Sequence, residues 1–148
     1  MGFNKTNFVF IIGAPRSGTT WLHKMVSAHK DVYSLNGSNT FLQKYIFPLE
    51  HTYKTEKQVY TDKGFTRGLP SKFGEEEFKN LLSDFIKRFY KIIPESKKYY
   101  VEKATDFTSE LEKVKKYIPN SRFIHIIRDG RNSTISRIKN RKLYGKPF

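Results

Sequence analysis

Apolar residues recur along this chain in two rhythms, and together they predict strands alternating with helices. Phe8 to Ile12 is a continuous apolar run, of the kind buried on both faces of a parallel sheet. Val32 to Leu35 and Tyr99 to Val101 read as shorter strands, and Phe123 to Ile127 as another buried one. Glu75 to Ile93 keeps the helical period instead. Phe78, Leu81, Leu82, Phe85, Ile86, Phe89 and Ile93 fall at i, i+3, i+4, i+7 spacing. Glutamates at 75–77 suit the dipole of its first turn, and Pro94 stops it. After the first strand, a helix is predicted with Trp21, Leu22, Met25 and Val26 on one face, ending near His29 to Asp31. Ser109 and Glu112 have the spacing of a capping box for a helix through Ile118. A last helix runs from about Arg131 to Lys142, with Asp129 as its N-cap. Thr52 to Gly74 is polar and punctuated by Gly64, Gly68 and Pro70, which predicts a long loop.

The alternation argues for an α/β fold with a parallel sheet flanked by helices. The first strand-to-helix junction, Val9 to Leu22, then carries the chemistry. Gly13 and Gly18 are spaced as in the phosphate loop G-x-x-x-x-G-K-[ST], but Thr19 stands where a nucleotide triphosphatase has its lysine. Arg16, inside the loop, supplies the basic group. Backbone N–H groups of Ser17 to Thr20 can still cradle a 5′-phosphate at a helix N-terminus. Arg16 can reach a single group just beyond that phosphate. A second segment, Arg122 to Ile138, ends its strand in Arg128 and places Ser136 eight residues later on a helix.

Together these segments resemble the cofactor-binding halves of sulfotransferases that use 3′-phosphoadenosine 5′-phosphosulfate (PAPS). P-R-S-G-T-T is similar to that family's 5′-phosphosulfate loop, and the Arg128–Ser136 pair to its 3′-phosphate site. R-D-G-R at 128–131 and A-H-K-D-V at 28–32 are closest to tyrosylprotein sulfotransferases and their bacterial relatives. The resemblance implies a P-loop-type three-layer fold and PAPS as donor, with adenosine 3′,5′-bisphosphate as product and no metal. It implies cofactor contacts from Arg16, Ser17, Gly18, Thr19, Thr20, Trp21, Arg128 and Ser136. It assigns Arg16 and Lys103 to catalysis, as cations on the charge that develops during transfer. Lys103 closes the strand-like run Y-Y-V-E-K, and strand ends line the crevice of open α/β sheets. The resemblance covers nearly the whole chain, but only the N-terminal part of a typical family domain. The expectation is therefore one sulfotransferase-like domain over residues 1–148, incomplete at its C-terminus.

One departure from the family touches the mechanism. Relatives place a glutamate, as general base, in the segment after the first helix. Here that segment reads Gly37, Ser38, Asn39, Thr40. Asn39 can orient a hydroxyl but cannot take its proton. His51 or Asp106 could serve instead, the acceptor could need no strong base, or catalysis could be impaired. His125, inside an apolar strand, reads as a core residue and His29 as a helix cap; periodicity does not place His23.

Charge adds one constraint. Lys plus Arg number 28 against 14 Asp plus Glu, a formal charge of +14, which favours anionic partners. The basic residues are scattered and the aromatics sit at core-like positions, so nucleic acid is not expected as a partner. The basic stretch from Lys54 to Lys72 suits an acidic peptide or glycan acceptor. With no cysteine, thiolate metal sites are excluded, and four histidines without H-x-x-x-H spacing disfavour zinc. No apolar run is long enough for a signal region or a membrane span, so a cytoplasmic location is expected. Two other classes remain in view. A phosphate-loop kinase or triphosphatase would need magnesium and is opposed by Thr19. A non-catalytic polyanion-binding relative would rest on charge alone.

Overall fold

Among the residues described, 6–35, 41–64 and 67–144, four strands form one parallel sheet in the computed structural model. They are β1 (Asn7–Gly13), β2 (Val32–Tyr33), β3 (Tyr99–Lys103) and β4 (Arg122–Ile126), in the order β2-β3-β1-β4. Their period of two divides β1 between the sheet faces. Ile11 packs with Val32 and Val101 in a core that also receives Val9, Leu22, Val26 and Ile126. Each such aliphatic side chain, fully buried, contributes about 1.5–3 kcal/mol. Phe8 and Phe10 turn the other way, Phe8 against Tyr100 and Phe10 stacked on Phe123 at 5.8 Å between ring centres.

Helices cover both faces. The helix α1 (Thr19–Ser27) brings Leu22 and Val26 to the Ile11 core. Trp21 and Met25, expected on that inner face, are instead 67% and 54% exposed. The inward line is Thr19 and His23, four residues apart, flanked by Leu22 and Val26, which puts Trp21 and Met25 on the outer side. On the Phe123 side, Lys115 of a second helix, Leu111–Tyr117, lies 5.7 Å from the ring centre, and Val114 of that helix is buried. Its N-cap is Glu110 rather than Ser109. Ser109 ends the 3₁₀ turn Thr105–Ser109, so the capping box expected there does not form. A last helix, Gly130–Tyr144, follows β4. The architecture is α/β, as expected.

β4 departs from the expected buried strand. It pairs with β1 and, among the described residues, with no other strand, so it lies at the sheet edge. Ile124 and His125 are exposed, and Ile127, just beyond, is 83% exposed. His125 is therefore no core residue. An apolar run records what a strand tends to bury, not whether a neighbour covers it.

The chain falls into two compact units: Met1–Asn39 with Ile93–Phe148, which holds the sheet, and Thr40–Ile92. The second unit corrects the loop expected over Thr52 to Gly74. Residues Phe47–Asp62 are a helix, α2, and the chain leaves it before Gly64. Phe47, Glu50 and Tyr53 are buried at three-residue steps, while lysine, glutamate and glutamine on the outside favour the helix. Glu56 Oε2 accepts from the Leu69 N–H at 2.9 Å, and the Tyr53 hydroxyl donates to the Phe73 carbonyl at 2.9 Å. These bonds hold the short glycine- and proline-containing return. Then α3 (Glu75–Tyr90) stacks Phe78 on Tyr53 at 4.0 Å and Phe89 on Phe41 at 3.7 Å. Among the described residues, no helix is long and apolar enough to cross a membrane.

Candidate active site

The sheet order places β1 between β3 and β4, so the C-terminal ends of these three strands face one crevice, where open α/β sheets bind ligands. Every element of the site leaves from one of those ends.

The loop after β1 is shaped by backbone requirements. Gly13 has φ +147° and pairs with Ile126 in the sheet; a Cβ there would lie 2.5 Å from the Ile126 carbonyl oxygen. Arg16 adopts φ 72° without being glycine, and the Ser17 N–H closes the turn on the Ala14 carbonyl at 3.1 Å. Gly18, at φ 110°, is the N-cap of α1 and provides no side chain to satisfy the first-turn N–H groups. Thr19 is buried at the helix start and Thr20 exposed beside it. Ser17 Oγ is buried without a hydrogen-bond partner. Open N–H groups, an unpaired hydroxyl and no acidic residue in the first turn fit a phosphate.

The predicted 3′-phosphate residues meet this loop directly. Arg16 Nε donates to Ser136 Oγ at 3.1 Å, and Arg128 Nη1 donates to the Arg16 carbonyl at 3.2 Å. Arg16, Arg128 and Ser136 therefore form one cluster. Asp129 is held apart by its own helix. Its Oδ1 accepts from the Arg131 N–H at 2.9 Å and its Oδ2 from the Arg131 guanidinium at 2.7 Å. The side-chain bond from Arg131 keeps the Asp129 carboxyl below the usual carboxylate range. This is the N-cap role expected for it.

Lys103, at the end of β3, donates from Nζ to Thr20 Oγ1 at 3.0 Å. Lys103 is not paired with its neighbour Glu102. Glu102 points into the opposite layer, where burial pushes its carboxyl up to about 8 and the Tyr100 hydroxyl donates to it at 3.0 Å. Trp21, by contrast, stands on the outer face of α1 and joins neither cluster through a described contact.

Sequence reasoning did not reach the pocket beside Lys103. It has a volume of about 630 Å³ and is lined by Thr20, His23, Lys24, Tyr33, Ser34 and Lys103, among others. His23 is only 7% exposed, and its Nε2 lies 2.6 Å from Ser34 Oγ. Burial lowers its pKa below the ordinary 6.5, a bond to the Val101 backbone opposes this, and the Lys103 charge adds to the lowering. A usable signal was present: His23 follows Thr20 by three residues and so shares its side of the helix. Of the other bases considered, His51 is exposed on α2 in the second unit. Asn39 and the side chain of Asp106 lie outside the described residues. His29 does take a capping position, its Nδ1 accepting from the Asp31 N–H at 3.2 Å.

The Sulfotransferase family model matches this chain over residues 8–146. The chain belongs to the sulfotransferase family. It is also 31% identical, over 140 residues, to protein-tyrosine sulfotransferase A of Caenorhabditis elegans, a match covering 92% of this chain and 35% of that relative. This sulfotransferase chain thus spans about a third of the length of the curated relative it matches.

Proposed function

We propose that this protein transfers the sulfuryl group of PAPS to a hydroxyl or amine acceptor, residues 1–148 acting as part of one sulfotransferase-like domain. The observation that carries the reading is the convergence at the strand ends. The glycine-bounded loop, with the first turn of α1, supplies Thr20 to the Lys103 pair and Arg16 to the Arg128–Ser136 cluster, so both clusters meet at this loop.

The residues present fit the donor. Backbone N–H groups from Gly18 to Thr20, with Ser17 Oγ, would hold its 5′-phosphate, the Ser17 N–H being taken by the Ala14 carbonyl; Arg128 and Ser136 would grip its 3′-phosphate by charge-assisted bonds. Bound there, PAPS supplies an activated sulfuryl group with a phosphate as leaving group. Little covalent work then falls to the protein, so placing positive charge and aligning two oxygens dominate. Lys103 sits where it can neutralise the transferring group, and Thr20 orients its ammonium. Arg16, tied to Ser136, would stabilise charge growing on the leaving oxygen.

An acidic peptide bearing a tyrosine is the acceptor class we favour. The net charge of +14 and the name of the C. elegans relative support it. A phosphate-loop kinase is disfavoured, because Thr19 replaces the lysine and Asp129 is engaged as a helix cap. The test is release of adenosine 3′,5′-bisphosphate from PAPS in the presence of an acidic tyrosine peptide. Acceptor-dependent release without magnesium supports the reading. Magnesium-dependent ATP turnover in its place overturns it.

A further inference from the structure

The family's usual carboxylate base is replaced here by Asn39, so a hydroxyl acceptor needs another proton sink. The pocket beside Lys103 offers one. Three lysines, Lys24, Lys97 and Lys103, reach its wall, and no carboxylate is among the described residues that line it. Ammonium groups cannot accept a proton. His23 can, and it is positioned to do so through a single intermediary. Its ring is nearly sealed, while Ser34, 2.6 Å from its Nε2, is half-buried and faces the pocket.

We propose that Ser34 and His23 form the proton-accepting pair for the acceptor hydroxyl, an inference that rests on the sulfuryl-transfer reading above. In the tautomer protonated on the other ring nitrogen, Nε2 presents a lone pair to the Ser34 hydroxyl at 2.6 Å, closer than the Leu35 carbonyl that the same hydroxyl reaches at 3.2 Å. The acceptor oxygen forms its bond to sulfur as the bond from sulfur to the bridging oxygen breaks, that electron pair leaving on the phosphate. The acceptor proton passes to Ser34 Oγ, and the proton of Ser34 passes to His23 Nε2. Lys103 and Thr20 line the same pocket and would hold the sulfuryl group there.

The charged groups around the ring favour this role. Lys103 from β3, Lys97 just before β3 and Lys24 on α1 line the pocket, with Tyr33 beside Ser34. Burial and the Lys103 charge keep the imidazole neutral, so its lone pair is available near pH 7.

Two acceptors of different acidity provide the test. N-acetyltyrosine amide keeps its proton at pH 8, whereas p-nitrophenol has largely lost its own. His23→Gln is expected to lower transfer to the tyrosine by about 100-fold and to p-nitrophenol by less than about fivefold, a signature of lost base catalysis. Ser34→Ala should show the same selectivity, and it decides the matter if His23→Gln fails to bind adenosine 3′,5′-bisphosphate. An NMR titration of the intact wild-type chain gives a readout independent of turnover, with the His23 ring titrating below pH 6.5. Equal losses on both acceptors, no loss on either, or a His23 midpoint above neutral overturns the pair while leaving sulfuryl transfer standing. Wild-type transfer to neither phenol, in contrast, overturns the phenolic-acceptor reading on which the pair rests.

Discussion

Arg16 Nε donates to Ser136 Oγ at 3.1 Å, joining two segments 120 residues apart in the chain. The bond ties the loop after β1 to the last helix, and Arg128 doubles the link through the Arg16 carbonyl. Ser136→Ala is therefore expected to weaken adenosine 3′,5′-bisphosphate by roughly 1.5 kcal/mol, the worth of one bond to a charged group. Calorimetry checks this, and an unchanged affinity contradicts a shared cluster.

Lys103 acts in this account on charge that grows during transfer, not on ground-state binding. Lys103→Ala should lower kcat by about 100-fold while leaving product affinity nearly intact. Steady-state rates and product titration on the same preparation separate the two effects. A rise in KM or in product Kd with normal kcat would assign Lys103 to binding alone.

Gly13 and Gly18 both have positive φ but differ in their surroundings. At Gly13 a Cβ meets the Ile126 carbonyl, whereas at Gly18 it meets nothing within 4 Å. Gly13→Ala is expected to destabilise the fold by about 3 kcal/mol and Gly18→Ala by about 1 kcal/mol. Urea denaturation orders the two, and the reverse order would mean that the loop is not packed against β4 as described.

Glu102 makes stability depend on pH. Its carboxyl titrates at about 8 in the folded chain against an ordinary 4.5, because burial disfavours the charged form. Between those values the folded chain keeps a proton that the unfolded chain has lost. Stability therefore falls as pH rises from 4.5 towards 8 and levels off above, a loss on the order of 5 kcal/mol. Glu102→Gln keeps an acceptor for the Tyr100 hydroxyl and should flatten that slope. Melting temperatures at pH 5 and pH 8 test it; an equal drop in both proteins contradicts a buried neutral Glu102.

Local pattern revealed much of this fold. The apolar run of β1 and the glycine spacing of its loop are short-range signals, and both appear where expected. So does the end of β3 at Lys103. The misreadings share a cause. Phe47 to Asp62 is helical although polar, because three buried side chains at helical spacing were masked by charged neighbours. His125 reads as buried only if another element covers β4, and no periodicity reports that. Even the motif positions of Arg16 and Ser136 did not disclose their contact, which depends on β1 and β4 being neighbours in the sheet. The His23–Ser34 pair likewise depends on α1 lying over β2 and β3, a tertiary fact.

The central claim is that Arg128 and Ser136 recognise the phosphate that distinguishes adenosine 3′,5′-bisphosphate from adenosine 5′-monophosphate. Titration calorimetry of the wild type and Arg128→Ala with both nucleotides tests it most directly. The wild type is expected to prefer the bisphosphate, and Arg128→Ala to weaken it by about 1.5–3 kcal/mol, with the monophosphate almost unaffected. Equal losses for both nucleotides, or no binding of the bisphosphate by the wild type, would contradict it.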